Sequence, residues 1–252
     1  QLQTLSYLNT EYLGFLMDEN NLSASQHLAV RKAINYGFDR QKMMTYLRNN
    51  IGSPATEGFV PKGLPSFTDT LRGYYYKPEV ARQLLADAGI SIPISVELNT
   101  TSSYLDLCEF IQNQLAEVGI QLDININPPS THRQMVATSK LDFFRGSWIA
   151  DYADAENYLA LFYSKNFCPN GPNYTHFSNP TYDTYYELAL KEINLEKRRT
   201  YYHLMDQMIL DEAAIVPLYY DQVLRFVQND ILGFESNAMN LLELKTVQKL
   251  NP

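Results

Sequence analysis

The residues best suited to chemistry fall together in LDFFRGSWIADYADAENY, residues 141–158. Trp148 is the only tryptophan, Asp151 follows on the next turn of the chain, and Asp154 comes soon after. An aspartate beside an indole is a receptor for a cation, because the carboxylate forms charge-assisted hydrogen bonds and the ring offers an aromatic face. The same spacing also fits a capped strand-to-helix turn around a core tryptophan, since Asp is a common helix cap. Read as a glycosidase pair, the two acids would need to stand about 5–10 Å apart. Their i, i+3 spacing across a turn is the pattern of one cap and one ligand.

Other chemistries find little support. No GxSxG, HExxH, GxxxxGK[ST] or GxGxxG motif occurs. His27, His132, His176 and His203 are dispersed rather than spaced as metal ligands. Cys108 and Cys168 form no CxxC, so no zinc or redox motif is present. Cys108 falls on an apolar helix face and reads as a buried thiol, whereas Cys168 lies in a loop; their pairing stays open. No catalytic residue, metal site or cofactor is expected.

Asp151 acts only if a frame holds it. Alternation in LDFFRGSWI predicts a short buried strand, and Tyr158, Leu159, Phe162 and Tyr163 continue at helical spacing with Asp154 as N-cap. Asp151 then stands just past the C-terminal end of a strand, where α/β domains bind ligands. Upstream, residues 78–128 read helix, strand, helix, strand. KPEVARQLLADAGI turns Val80, Leu84, Leu85 and Ala88 inward and stops at Gly89. ISVELNT alternates, Leu107, Ile111 and Leu115 line a helix ending at Gly119, and IQLDININP puts Ile120, Leu122, Ile124 and Ile126 on one face. That order is the signature of a sheet with helical crossovers.

The first residues, to Asp18, read as a strand. Ser23 and Ser25 offer caps for a helix interrupted near Gly37, with Asp39 capping its second half, and residues 52–65 form a Gly/Pro-rich loop. Two late helices carry Tyr185, Leu188 and Ile193, then Tyr201, Leu204, Met208 and Ile209 on their apolar faces. Pro217 marks AIVPLYYDQVLRFV as an edge strand or a crossing between lobes. The tail from Asp230 reads as a strand whose partners are elsewhere.

Composition narrows the class. Apolar residues make up 45% and charged residues 19%, the balance of a globular protein. A net charge of −8 without a basic cluster argues against nucleic acid. The surplus of 19 Tyr suits a cleft that must be apolar and hydrogen-bonding at once. No apolar run is long enough to span a membrane.

Six separated segments carry a resemblance: HLAVRKAINYGFDRQKMM (27–44), GSPATEGFVPKGLPSF (52–67), YYYKPEVARQLLADAGI (74–90), GSWIADYADAENYLALFYS (146–164), NYTHFSNPTYDTYYELAL (173–190) and EKRRTYYHLMDQMILDEAAIVPLYY (196–220). In order and spacing they resemble the bacterial extracellular solute-binding proteins of family 5. The resemblance implies an α/β lobe of the periplasmic-binding-protein type II kind, with a mixed sheet flanked by helices, cut from a two-lobe protein. Residues 1–12 would be a hinge-crossing strand, 13–222 the second ligand-binding lobe, and 223–252 a return strand and tail belonging to a first lobe missing before Gln1.

It further implies the substrate-binding component of an ABC importer. Such a protein captures a peptide, or in some members nickel or another solute, and hands it to a membrane permease. Its place would be periplasmic or extracytoplasmic, with a lipid anchor in the missing N-terminal part. A ligand-sensing lobe of a regulatory protein is the alternative. Asp151 would take the ligand's α-ammonium, Trp148, Ile149 and Tyr152 would line the pocket, and Arg145 would face the ligand carboxylate. A second arginine of that kind is replaced near Val136, and the proline of the family's DYpDP turn is absent beside Ala153 and Ala155.

Overall fold

The computed structural model describes residues 1–18 and 23–250; residues 19–22 and 251–252, the latter the end of the expected tail, lie outside the described residues. Strand β1 (Leu2–Phe15) is buried from Leu8 onward. Helices α1 (Leu28–Tyr36) and α2 (Arg40–Arg48) flank Gly37 as predicted, and Asp39 caps α2 by accepting from the Lys42 N–H at 3.0 Å. The cap of α1 is His27 rather than Ser23 or Ser25: its Nδ1 accepts from the Ala29 N–H, while the two serine hydroxyls meet each other around a short 3-10 turn.

Residues 52–65 are only partly loop. They supply the short strand β2 (Ser53–Pro54), then bury Phe59, Val60 and Leu64. Helix α3 (Pro78–Asp87) starts on its proline and ends before Gly89 at φ +67°; it buries Ala81 and Leu85, half-buries Val80 and Leu84, and leaves Ala88 exposed. Then come β3 (Ile94–Thr100), α4 (Leu105–Ala116) and β4 (Ile120–Ile126). The two strands pair in parallel from Ile94–Ile120 to Thr100–Ile126, which requires the helix as crossover. Ile120 and Leu122 are buried, but Ile126 is half exposed where the strand leaves the core.

Helix α5 (Pro129–Ala137), strand β5 (Phe143–Ile149) and the short α6 (Glu156–Leu159) follow, then α7 (Pro180–Lys191) and α8 (Leu195–Asp211). The buried face of α7 is Tyr182, Tyr186 and Ala189; Leu188 is exposed and Ile193 is 94% exposed. In α8 it is Tyr202, Met205, Asp206, Ile209 and Leu210, with Leu204 exposed. The α7 stripe lies rotated from the predicted one because tyrosine dominates it, and tyrosine is equally at home in a core or on a rim; in α8 the predicted Ile209 is buried, while Tyr201 and Met208 are only partly so.

Strand β6 (Ile215–Phe226) is covered on its outer side only by β2, opposite Tyr219 and Tyr220, so it is next to the edge rather than outermost. Pro217 pairs with Tyr12 at a register shift, and its carbonyl accepts from Arg40 Nε at 2.6 Å. The tail strands β7 (Ile231–Leu232) and β8 (Gln248–Lys249) pair with each other, and Ala238 O accepts from the Leu8 N–H, so the tail finds partners within this chain.

The main sheet has the order β2-β6-β1-β5-β3-β4, antiparallel around β1 and parallel from β5 to β4. Side-chain alternation divides the core. Leu13, Phe15 and Phe143 join α1–α4 on one face, whereas Tyr12 and Phe144 join the α6–α8 residues on the other. This is an α/β lobe with a mixed sheet flanked by helices. Beyond the body, Leu2–Ser6 pairs with Gln222–Phe226 as a two-stranded ribbon whose tips are exposed. Both cysteines are buried free thiols. Among the described residues, no helix is long and apolar enough to cross a membrane.

Candidate functional site

Strand β5 organises the site because it changes company along its length. It pairs with β1 throughout but with β3 only at Asn99–Phe144. From Arg145 onward one edge of β5 therefore has no strand beside it among the described residues. The Ala150 N–H donates to Leu8 O at 2.9 Å, which sets the phase. Alternation then turns the N–H and C=O of Arg145, Ser147 and Ile149 away from β1. The Arg145 carbonyl is taken by His132 Nε2 of α5 at 2.8 Å. A carbonyl only accepts, so Nε2 carries the proton, and the buried Nδ1 has no partner among the described residues. Burial lowers the His132 pKa from the ordinary histidine value, which favours this neutral ring.

Past Ile149 the chain turns, and Asn157 from α6 holds the turn. Its Oδ1 accepts from Trp148 Nε1 at 2.9 Å and from the Asp151 N–H at 3.1 Å, while its Nδ2 donates to Asp151 Oδ2 at 3.4 Å. The indole is half-buried against the core, and the Asp151 carboxylate is exposed beside it. Asp154 has a different task. It accepts from the Glu156 N–H at 2.9 Å, from Tyr202 Oη at 2.8 Å and from Arg198 at 2.5 Å, tying the turn to α8. It is thus a structural anchor just before α6, where Ala155 rather than the expected Asp154 holds the cap position, and Asp151 is the exposed carboxylate of the two.

The remaining predicted site residues separate. Arg145 and Trp148 lie at odd and even positions of one strand, so they point to opposite faces of the sheet. Ile149 follows Arg145 and is exposed, as is Tyr152, whose hydroxyl donates to the Glu156 carboxylate. Arg145 is already engaged: it forms an ion pair with buried Glu11 and stacks 3.2 Å from the centre of the Tyr104 ring. A guanidinium so neutralised is a poor match for the role of facing a ligand carboxylate. A cavity of about 500 Å³ opens at this edge of β5, with Tyr104, His132, Arg133, Val136, Arg145 and Ser147 among its walls.

Asn157, Glu11, His132 and Arg133 are the residues a reading by motif does not find. Glu11 leaves a trace, as the one acid inside the apolar run LNTEYLGF. Asn157 leaves none, because asparagine at the start of a short helix is unremarkable in sequence.

Three comparisons bear on this arrangement. The family profile described as bacterial extracellular solute-binding proteins, family 5 (middle), matches residues 3–168. A probable di/tripeptide-binding protein 5 of Pseudomonas aeruginosa is 25% identical over 224 residues, covering 86% of this chain and 42% of its own length. The glutathione-binding protein GsiB of Salmonella choleraesuis is 27% identical over 214 residues, covering 81% of this chain and 41% of its own length. The chain therefore spans less than half the length of these relatives. Among solved structures, HbpA2 of Haemophilus parasuis superposes with a TM-score of 0.89 at 19% identity, covering 100% of this chain and 50% of that one. DppA of Helicobacter pylori, solved with the peptide STSA, gives 0.86 at 19% identity, covering 99% and 48%. At those identities the likeness speaks for the fold.

Proposed function

This chain belongs to the bacterial extracellular solute-binding proteins of family 5, and from that premise we propose that it is one lobe of a two-lobe receptor for short peptides. The family consists of periplasmic binding components of transporters rather than enzymes. On this reading the receptor hands its ligand to an ABC permease, and a lipid anchor outside this chain keeps it at the membrane. The ribbon of Leu2–Ser6 with Gln222–Phe226 is the pair of strands on which the lobes hinge, and residues 223–252 are assigned to the other lobe as its return strand and tail. A ligand touching both lobes then stabilises the closed form by its differential affinity.

One observation carries the ligand class: the exposed Asp151 carboxylate, held by Asn157 beside the Trp148 indole at the end of an unpaired strand edge. Relatives named for di- and tripeptides and for glutathione bind molecules with an α-ammonium group, the partner such a carboxylate suits. Ile149 and Tyr152 flank that position. The outward N–H and C=O groups of Ser147 and Ile149 suit a peptide added as an extra strand.

The test is calorimetric titration of a co-purified or library-selected peptide into the two-lobe protein and its Asp151→Asn variant. Affinity falls about 10- to 100-fold if the carboxylate meets an ammonium, the scale of a charge-assisted bond. Unchanged affinity, or a bound solute without a cationic group, overturns the assignment.

A further inference from the structure

Where the end of α5 meets the loop of residues 168–177, three reactive side chains converge. Cys168 Sγ lies 3.4 Å from His176 Nε2, and Ser139 Oγ stands 3.0 Å from each of them. The reading above gives none of the three a task. His176 stacks on Phe167 with ring centres 4.5 Å apart and planes 7° from parallel, which holds the imidazole in place. Ser139 and His176 both take positive φ, 53° and 52°, a backbone region uncommon outside glycine. The thiol is 5% exposed, but Ser139 and His176 are half-buried and the neighbouring Pro169 and Asn170 are exposed, so the sulfur lies just under the surface.

The other cysteine shows what a thiol used only for packing looks like in this fold. Cys108 is 0% exposed among the apolar residues of α1–α4, and burial pushes its pKa up from the ordinary thiol value. Cys168 instead has an imidazole and a hydroxyl within reach. A thiol reacts as its thiolate, and a base at hydrogen-bonding distance is what prepares it. The proton can pass to Nε2 directly, or through the Ser139 hydroxyl, which accepts from the thiol while donating to the ring.

We infer that Cys168 is a peroxide-reactive thiol, with His176 as its base and Ser139 as its proton relay. His176 takes the thiol proton, and the sulfur attacks one oxygen of hydrogen peroxide. The S–O bond forms as the O–O bond breaks, and the imidazolium returns the proton to the departing hydroxide. Sulfur loses two electrons, water leaves, and Cys168 becomes a sulfenic acid. Cys108 cannot condense with it, because Cys108 belongs to the core on one face of the sheet, whereas Cys168 Sγ meets Val136 O of the other at 3.8 Å. A small external thiol takes that part, forming a mixed disulfide and releasing water. The added oxygen must displace Ser139 or His176, so oxidation loosens the tie between this loop and α5. Val136 and Tyr174 also line the cavity beside β5, which puts the change at its wall. The inference stands independently of the peptide reading.

The reduced two-lobe protein is treated with hydrogen peroxide and dimedone, a trap for sulfenic acids, and adducts at each cysteine are read by mass spectrometry after digestion. Cys168 is expected to be labelled at least about tenfold faster than Cys108. His176→Asn, a residue that tolerates positive φ, should slow the Cys168 adduct about a hundredfold, the scale of a lost general base. Ser139→Gly, which suits its φ, should slow it less. If the three groups merely clasp the loop, removing the ring uncovers the sulfur, and labelling stays level or rises; that result overturns the role of His176. Labelling of Cys168 no faster than Cys108 in wild type overturns the site whatever the variants do. In denaturant, wild type and both variants should label alike, and a difference that persists there overturns the assignment to this cluster.

Discussion

Replacing Asn157 by alanine tests how the binding turn is built. The change removes two acceptor bonds, from Trp148 Nε1 at 2.9 Å and the Asp151 N–H at 3.1 Å, and one longer donation to Asp151 Oδ2 at 3.4 Å. Each bond contributes about 1 kcal/mol net, and a donor stranded in a buried setting costs more. Asn157 is buried, so water reaches these groups poorly. The expected loss is roughly 2–3 kcal/mol, which lowers the melting temperature by about 5–10 °C for a domain of this size. Trp148 reports on the same event, because its indole loses a fixed partner and its emission shifts. Thermal and urea unfolding with tryptophan emission is the assay. Asn157→Asp serves as a control: it keeps an acceptor for both donors but sets a second carboxylate against Asp151, so it loses the amide's donation and adds like-charge repulsion. A loss under about 0.5 kcal/mol, the range of ordinary surface changes, with unchanged emission would refute the claim that this amide organises the site.

Two further predictions concern buried charge. Asp206 of α8 is wholly enclosed, accepting from the Phe59 N–H at 2.7 Å and the Val60 N–H at 3.1 Å, and burial pushes its pKa up from 3.8 to about 6 despite those bonds. A raised folded-state value means that the stability it contributes is present below about pH 4 and lost as pH rises through about 6. At about 1.4 kcal/mol for each tenfold change in proton concentration, the interval is worth roughly 3 kcal/mol. The stability of wild type relative to Asp206→Asn should therefore rise by about that much between pH 7 and pH 4, and parallel stability curves would count against it. Gly58 makes this clasp possible: it sits at φ +134° against the Asp206 carboxylate, where a Cβ would collide. Glu11→Ala strands Arg145 in a buried setting and should cost about 3 kcal/mol in urea unfolding, whereas Glu11→Leu with Arg145→Met should recover much of it; equal losses would show that the pair is not coupled.

Much of the architecture is local and was legible. Strict alternation in IQLDININP and the Pro78 start and Gly89 stop of α3 are set by steric rules that act within a few residues, as is the Asp39 cap. The position of Asp151 just past a strand follows from the same short-range pattern. What needed the third dimension was every decision about partners. A tyrosine-rich helix does not declare its inner face, because phenol suits core and rim alike, so α7 settled one step away from the apolar stripe. Arg145 and Asp151 look like two ends of one site in sequence, yet Glu11 reaches Arg145 only because β1 pairs with β5 across more than 100 intervening residues. Asn157 became the keeper of the turn because α6 folds back over Trp148. Sequence determines which groups are available and how the chain repeats; only the sheet order, which brings β1 and α5 to the two sides of β5, decides which charge is neutralised and which is left for a ligand.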